Sequence, residues 1–120
     1  MNTGITGFVY RLYTKVLGRG AEVDGLNHWC RILNANPVKA MFLDVALNGF
    51  LHSVEFLSKN LNDTEFIKVL YRTFLGREAE PAGLDHWLRV LREGATRDSL
   101  AHDFAYSEEF NIIMAQYGIH

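Results

Sequence analysis

The chain has 120 residues, 48% of them hydrophobic and 22% charged, with a formal net charge of -2 and a sequence pI near 6.2. That length buries a core without metals or disulfides, and the composition is that of a globular domain rather than a disordered chain. The scattered Lys and Arg leave no basic stripe for nucleic acid; no apolar run reaches the roughly eighteen residues a bilayer span requires, so no membrane insertion is expected; and the opening "MNTGITGFVY" lacks the charged-then-apolar pattern of a secretory signal.

In chain order, Phe8, Leu12 and Val16 fall at i, i+4 and i+8, with Val9, Tyr13 and Leu17 beside them, and predict a first helix. Gly18 sits just past its end, where a left-handed residue closes the last turn. A second helix follows from Leu26, Trp29, Cys30 and Leu33, with Glu22 near its N-cap; Cys30, the single cysteine, cannot form an internal disulfide and reads as a small buried hydrophobe. Pro37 marks a third start after Asn36. Ser53 caps a short fourth helix, with Glu55 in its favourable first turn. "NLNDTEF", from Asn60 to Phe66, supplies a linker and the next cap.

From Phe66 the order repeats. Leu84, Trp87, Leu88 and Leu91 carry a helical stripe that begins at Pro81, with Glu80 near the N-cap, and Gly76 closes the helix before it. Gly94 ends that helix at Glu93, Thr96 caps the next, and Ser107 caps the last, with Glu108 and Glu109 in its first turn. Aligning Phe8–Leu33 with Phe66–Leu91 gives 14 identities in 26 positions at an offset of 58, whereas "NGFLHSVEF", ending at Phe56, matches "HDFAYSEEF", ending at Phe110, at an offset of 54. The first copy therefore carries four extra residues between Leu33 and Phe50, expected in a loop or at a helix end.

The expectation is an all-α domain of about six to eight helices over residues 1–120. It comprises repeat one at about 8–57, a linker at about 58–65 and repeat two at about 66–111. About 50 residues bury too small a fraction of their surface to stand alone, so the two copies should share one core under a pseudo-symmetry.

Among the residues that persist between copies are Gly18, Arg19, Glu22, Gly25 and Trp29, and then Gly76, Arg77, Glu80, Gly83 and Trp87. Arg19 and Arg77 follow a helix end and precede a Glu by three, which favours capping of loose carbonyls with a carboxylate pair over binding of an anion or ligand. Gly25 and Gly83 lie in a helical first turn, where Gly is a poor helix former, and point to close approach of another backbone. Trp29 and Trp87 read as core anchors before they read as sugar-stacking platforms. His28 and His86, one step off that stripe, are expected at the core boundary, bonded to a carbonyl or carboxylate. A metal role lacks a second His at i+4. Asp24-Gly25 is faintly like an acidic calcium loop without the alternating oxygen ligands, and Asp24 becomes Ala82 in the second copy. His102-Asp103 is a chance two-letter match. No nucleophile elbow, phosphate loop, dinucleotide fingerprint or zincin pattern is present, so no catalytic residue, metal or cofactor is assigned.

The pattern carried by Phe8, Leu12, Tyr13, Leu17, Gly18, Arg19, Glu22, Gly25, Leu26 and Trp29, then Phe50, Ser53, Glu55 and Phe56, resembles the bacterial domain of unknown function 4214 family. Phe66, Leu70, Tyr71, Leu75, Gly76, Arg77, Glu80, Gly83, Leu84 and Trp87, then Phe104, Ser107, Glu109 and Phe110, repeat it. The turn is also distantly similar to the linker domains of phycobilisomes, the cyanobacterial light-harvesting antennae. Glu22 and Glu80 stand where the family often has Asp. The resemblance implies an extracellular or cell-surface accessory domain of a large secreted bacterial protein, without catalytic residues. The leading expectation is a module binding polysaccharide or cell-wall glycan, with Tyr10, Asn27, Asp85 and Tyr106 as candidate contact residues. The alternatives are a protein-docking or spacer domain, marked by an exposed apolar patch, and an enzyme, marked by a deep pocket with a perturbed titratable pair.

Overall fold

A computed structural model describes residues 3–119, and every described element is a helix. In chain order these are α1 (Thr3–Arg11), α2 (Val23–Ala35), α3 (Lys39–Asp44), α4 (Val54–Leu57), α5 (Asp63–Leu70), α6 (Pro81–Arg92), α7 (Arg97–Ala105) and α8 (Glu108–Ala115). Three of them continue without a break into wider π-helical turns: α1 through Leu12–Leu17, α3 through Val45–Leu51 and α5 through Tyr71–Leu75. In a π turn the N–H reaches back five residues rather than four. Periodicity does not mark the switch; Leu12, Tyr13, Val16 and Leu17, spaced as for an α-helix, are all buried in the π turn.

The caps follow the local chemistry. Gly18 and Gly76 adopt φ of 74° and 63° and close the first helix of each copy. The hydroxyls of Ser53, Thr96 and Ser107 accept from the backbone N–H of Phe56, Ser99 and Phe110, and Asn62 accepts from Glu65. Around Pro37 the chain departs from the expected start. Asn36 is the end of α2, with the Val38 N–H donating to its carbonyl, and α3 begins at Lys39 with extended Val38 before it.

The four extra residues of the first copy lie within a helix, not in a loop. The α3 helix with its π continuation runs from Lys39 to Leu51, whereas its counterpart α7 covers only Arg97–Ala105. Gly49, which aligns with Asp103, gives way to the Trp29 ring, since a Cβ there would come within 2.9 Å of the indole.

The two copies repeat each other's packing. The α1 helix lies on α2 as α5 lies on α6, α4 rests on the π end of α1 as α8 rests on the π end of α5, and α3 crosses α7 between them. The shared core is densest where Phe8 and Phe42 of the first copy meet Phe74 and Phe110 of the second. The Phe8 ring lies 5.1, 5.5 and 5.8 Å from the other three, and all four are buried. Removing these rings from water supplies the main drive for joining the halves. At the α3–α7 crossing, His52 of the first copy bonds the Asp98 carboxylate of the second at 2.8 Å.

Candidate functional site

The persistent residues build one small assembly twice. In the first copy the Arg19 guanidinium donates to both carboxylate oxygens of Glu55, at 2.7 and 3.2 Å, and to Glu22 at 2.7 Å, while lying 5.3 Å from the Tyr13 ring centroid. In the second, Arg77 donates to Glu109 at 2.7 and 2.9 Å and to Glu80, and lies 5.1 Å from the Tyr71 ring. Each arginine thus ties the closing turn of its first helix to the entry of the second and to the short helix at the end of the copy. Only one of its donors returns to the turn backbone, at Gly20 or Glu78.

The electrostatics match this geometry. Hydrogen bonds from Arg19 and Arg77 hold Glu55 and Glu109 below the ordinary carboxylate value. Glu22 and Glu80 are lowered first by their own backbone N–H and then by the same arginines. Both guanidiniums are correspondingly raised, chiefly by Glu55 and Glu109. Sequence reading gave Glu55 and Glu109 to the helix first turn, where they are, but missed their bond to the arginine.

Gly25 and Gly83 yield to a side chain rather than to the backbone expected. A Cβ at either position would strike the hydroxyl of Tyr13 or Tyr71. Burial is the main reason the Tyr13 hydroxyl holds its proton more tightly than usual, with Glu22 adding to it. Trp29 and Trp87 are half-buried, packed 5.5 Å from Phe50 and 5.1 Å from Phe104. His28 and His86 are exposed, not at the core boundary, and stand edge-on to the adjacent tryptophan at 4.8 and 4.9 Å. Two paired arginines with their charges consumed make a fastener between helices, with little left to offer a ligand.

The four candidate contact residues do not form one site. Tyr10 is exposed on α1, and Asp85 is exposed on α6. Asn27 lines a shallow depression along α2 with Arg31, Asn34 and Ala35. Tyr106, 44% exposed at the end of α7, stacks on the His102 ring at 4.5 Å and has the Lys39 ammonium 5.8 Å from its centroid. Lys39 in turn lines a groove of about 460 Å³ between α3 and α8, whose walls include Glu108, Asn111 and Ile112 over a floor of Phe42 and Phe110. Glu108 was legible only as a first-turn acid and Lys39 and Asn111 carried no signal, because nothing in the sequence says that the start of α3 faces α8. Among the described residues no helix is long and apolar enough to cross a membrane, and no group of His, Cys, Asp and Glu is placed to hold a metal ion.

Comparison with curated proteins and with solved structures gives no match. The model of one family, described as a domain of unknown function (DUF4214), matches residues 2–45 and again residues 46–113. The two matched segments meet within the α3 helix and its π continuation. With two consecutive segments covering nearly all of the chain and the arginine fastener built once in each copy, the chain belongs to the DUF4214 family.

Proposed function

We propose that this chain is a non-catalytic accessory module of a secreted or surface-exposed bacterial protein, and that it binds polysaccharide or cell-wall glycan beside the groove between α3 and α8. The observation that carries this reading is the 44% exposed Tyr106, with His102 stacked on its ring and the Lys39 ammonium over it, next to a groove whose rim offers the Glu108 carboxylate and the Asn111 amide. A sugar presents a flat apolar face ringed by hydroxyls, and an aromatic platform with nearby acceptors and donors complements it. The test is retention of the chain on a panel of soluble and insoluble polysaccharides that includes peptidoglycan. Tyr106→Ala should weaken retention about fivefold or more, the loss of one stacking contact, while Tyr10→Ala should not. Uniform failure to bind, or equal binding by Tyr106→Ala, rejects the glycan reading.

A protein-docking role is the second reading, favoured by a specific feature of the same groove. Its floor is phenylalanine, and Ile112 on its wall is 54% exposed. Exposed apolar surface of this kind marks protein contacts as readily as ligand sites. Ile112→Asp separates the two readings, since it should abolish protein docking and leave stacking on Tyr106 in place.

A further inference from the structure

Arg11 is set apart from the other arginines. It lies partly buried where the end of α1 meets the π turn of α5, and its Nε–H donates to the Thr73 carbonyl at 2.8 Å, across the boundary between copies. Arg19, Arg72, Arg77 and Arg97 each bond at least one carboxylate. Arg31, Arg89 and Arg92 do not, but they are exposed to water. Among the described residues Arg11 is therefore the one partly buried arginine with no carboxylate bond. The nearby Phe8 ring, 5.9 Å from its Cζ, compensates it only in part. Guanidinium cannot shed its charge, and the remaining N–H groups of Arg11, none of them a buried unpaired atom, are free to turn to water or to an anion.

The space beside it suits one. A cavity of about 120 Å³ is walled by Arg11, Lys15, Arg72, Gly76, Arg77 and Glu78. Glu78 is held by Arg72 at 2.7 and 2.8 Å, and Arg77 is held by Glu80 and Glu109, so those cations are balanced. Lys15 is exposed and makes no carboxylate bond, although it lies within electrostatic reach of Glu78; with Arg77 facing two carboxylates, the four cations and three carboxylates of this cluster leave one surplus positive charge. That volume has room for a small oxyanion group. The site occurs once. In the repeat alignment Arg11, Lys15 and Arg72 correspond to Val69, Thr73 and Thr14.

We propose that this cavity is a binding site for a small oxyanion, a carboxylate, sulfate or phosphate group, gripped by Arg11 and Lys15 with Arg72 at its wall. Arg11 supplies the planar fork that matches two oxygens of such a group, and Lys15 supplies a movable point charge. The site shares no residue with the Tyr106 groove and does not depend on a glycan being bound there.

The test is titration of the intact chain with sulfate, phosphate, acetate and glucuronate in turn, against chloride at fixed ionic strength, read by NMR on the arginine Nε–H resonances. The expected result is a saturable shift of the Arg11 resonance with at least one of these anions and none at Arg31. The responding anion then distinguishes a carboxylate from a sulfate or phosphate source. Arg11→Gln should weaken binding about tenfold and Lys15→Gln about three- to tenfold, whereas Arg31→Gln, with the same charge change, should leave it alone. Lys15 is exposed, so its variant gives a reading even if Arg11→Gln folds poorly. Shifts that are linear and equal at every arginine, or unchanged affinity in Lys15→Gln and Arg11→Gln, overturn the proposal.

Discussion

The hydroxyl of Tyr13 occupies the space that a side chain on Gly25 would need, and Tyr71 stands in the same relation to Gly83. Replacing a helical glycine by alanine ordinarily gains about 1 kcal/mol. Here the overpacking should outweigh that gain, so Gly25→Ala is expected to destabilise by about 1–2 kcal/mol net in urea unfolding. Tyr13→Phe removes the obstructing oxygen. Combined with Gly25→Ala it should cost at least about 1 kcal/mol less than the two single changes added together. Gly20→Ala, with nothing within 4 Å of the new methyl, serves as the neutral control. Additive single and double variants would show that the glycine is kept for another reason.

Arg77 and Glu109 should couple through geometry more than through charge. Both side chains are about 40% exposed, at 38% and 42%, so water screens much of their attraction. A double-mutant cycle of Arg77→Lys and Glu109→Gln is expected to give a coupling of about 0.5–1 kcal/mol. Lysine keeps the charge but cannot bridge Glu80 and Glu109 with a planar fork. A lysine variant as stable as the parent would show that charge alone suffices.

The same bonds predict how stability follows pH. Glu55, Glu109, Glu22, Glu80 and Glu78 are all held below the ordinary 4.5. A carboxylate whose folded value is lowered contributes stability that is complete above its unfolded value and disappears as pH falls through the folded one. Carboxylate pairing should therefore leave Tm nearly level between about pH 7 and pH 5 and lower it progressively below about pH 4.5. Glu55→Gln with Glu109→Gln should make that fall shallower, which thermal unfolding across the pH series measures. An unchanged slope would mean that these pairs are as strong in the unfolded chain as in the fold.

Thr73 offers an opposite case. It is 1% exposed, and its hydroxyl has no hydrogen-bond partner, although its carbonyl accepts from Arg11. An unpaired buried hydroxyl is a cost that valine of similar shape avoids. Thr73→Val is expected to stabilise the fold by about 1 kcal/mol in denaturant unfolding. A destabilised variant would reveal a bond to the hydroxyl in solution.

Much of the architecture was legible because its causes are local. The i, i+3, i+4 stripes, the serine and threonine caps, and the left-handed Gly18 and Gly76 act within one or two turns, so eight helices in two copies can be read from residue order alone. Placement of the four extra residues inside α3 was not legible. Val45, Ala46, Phe50 and Leu51 are buried in the π turn, and residue order alone does not mark where the added turn goes. The fastener was half visible. The spacing from Arg19 to Glu22 lies within the reach of one side chain, but Glu55 joins only after 36 further residues have folded back. The surface features depend on the fold still more. Tyr106 was singled out by type, while its neighbours Lys39 and His102, and the meeting of Arg11 with Arg72, follow from how the copies are docked. Sequence by itself determined the helices, most of their caps and the doubling, since hydrogen bonding and apolar periodicity are short-range. Only tertiary structure decided which charges are consumed and which remain free, because pairing depends on distances between residues that the chain order keeps far apart.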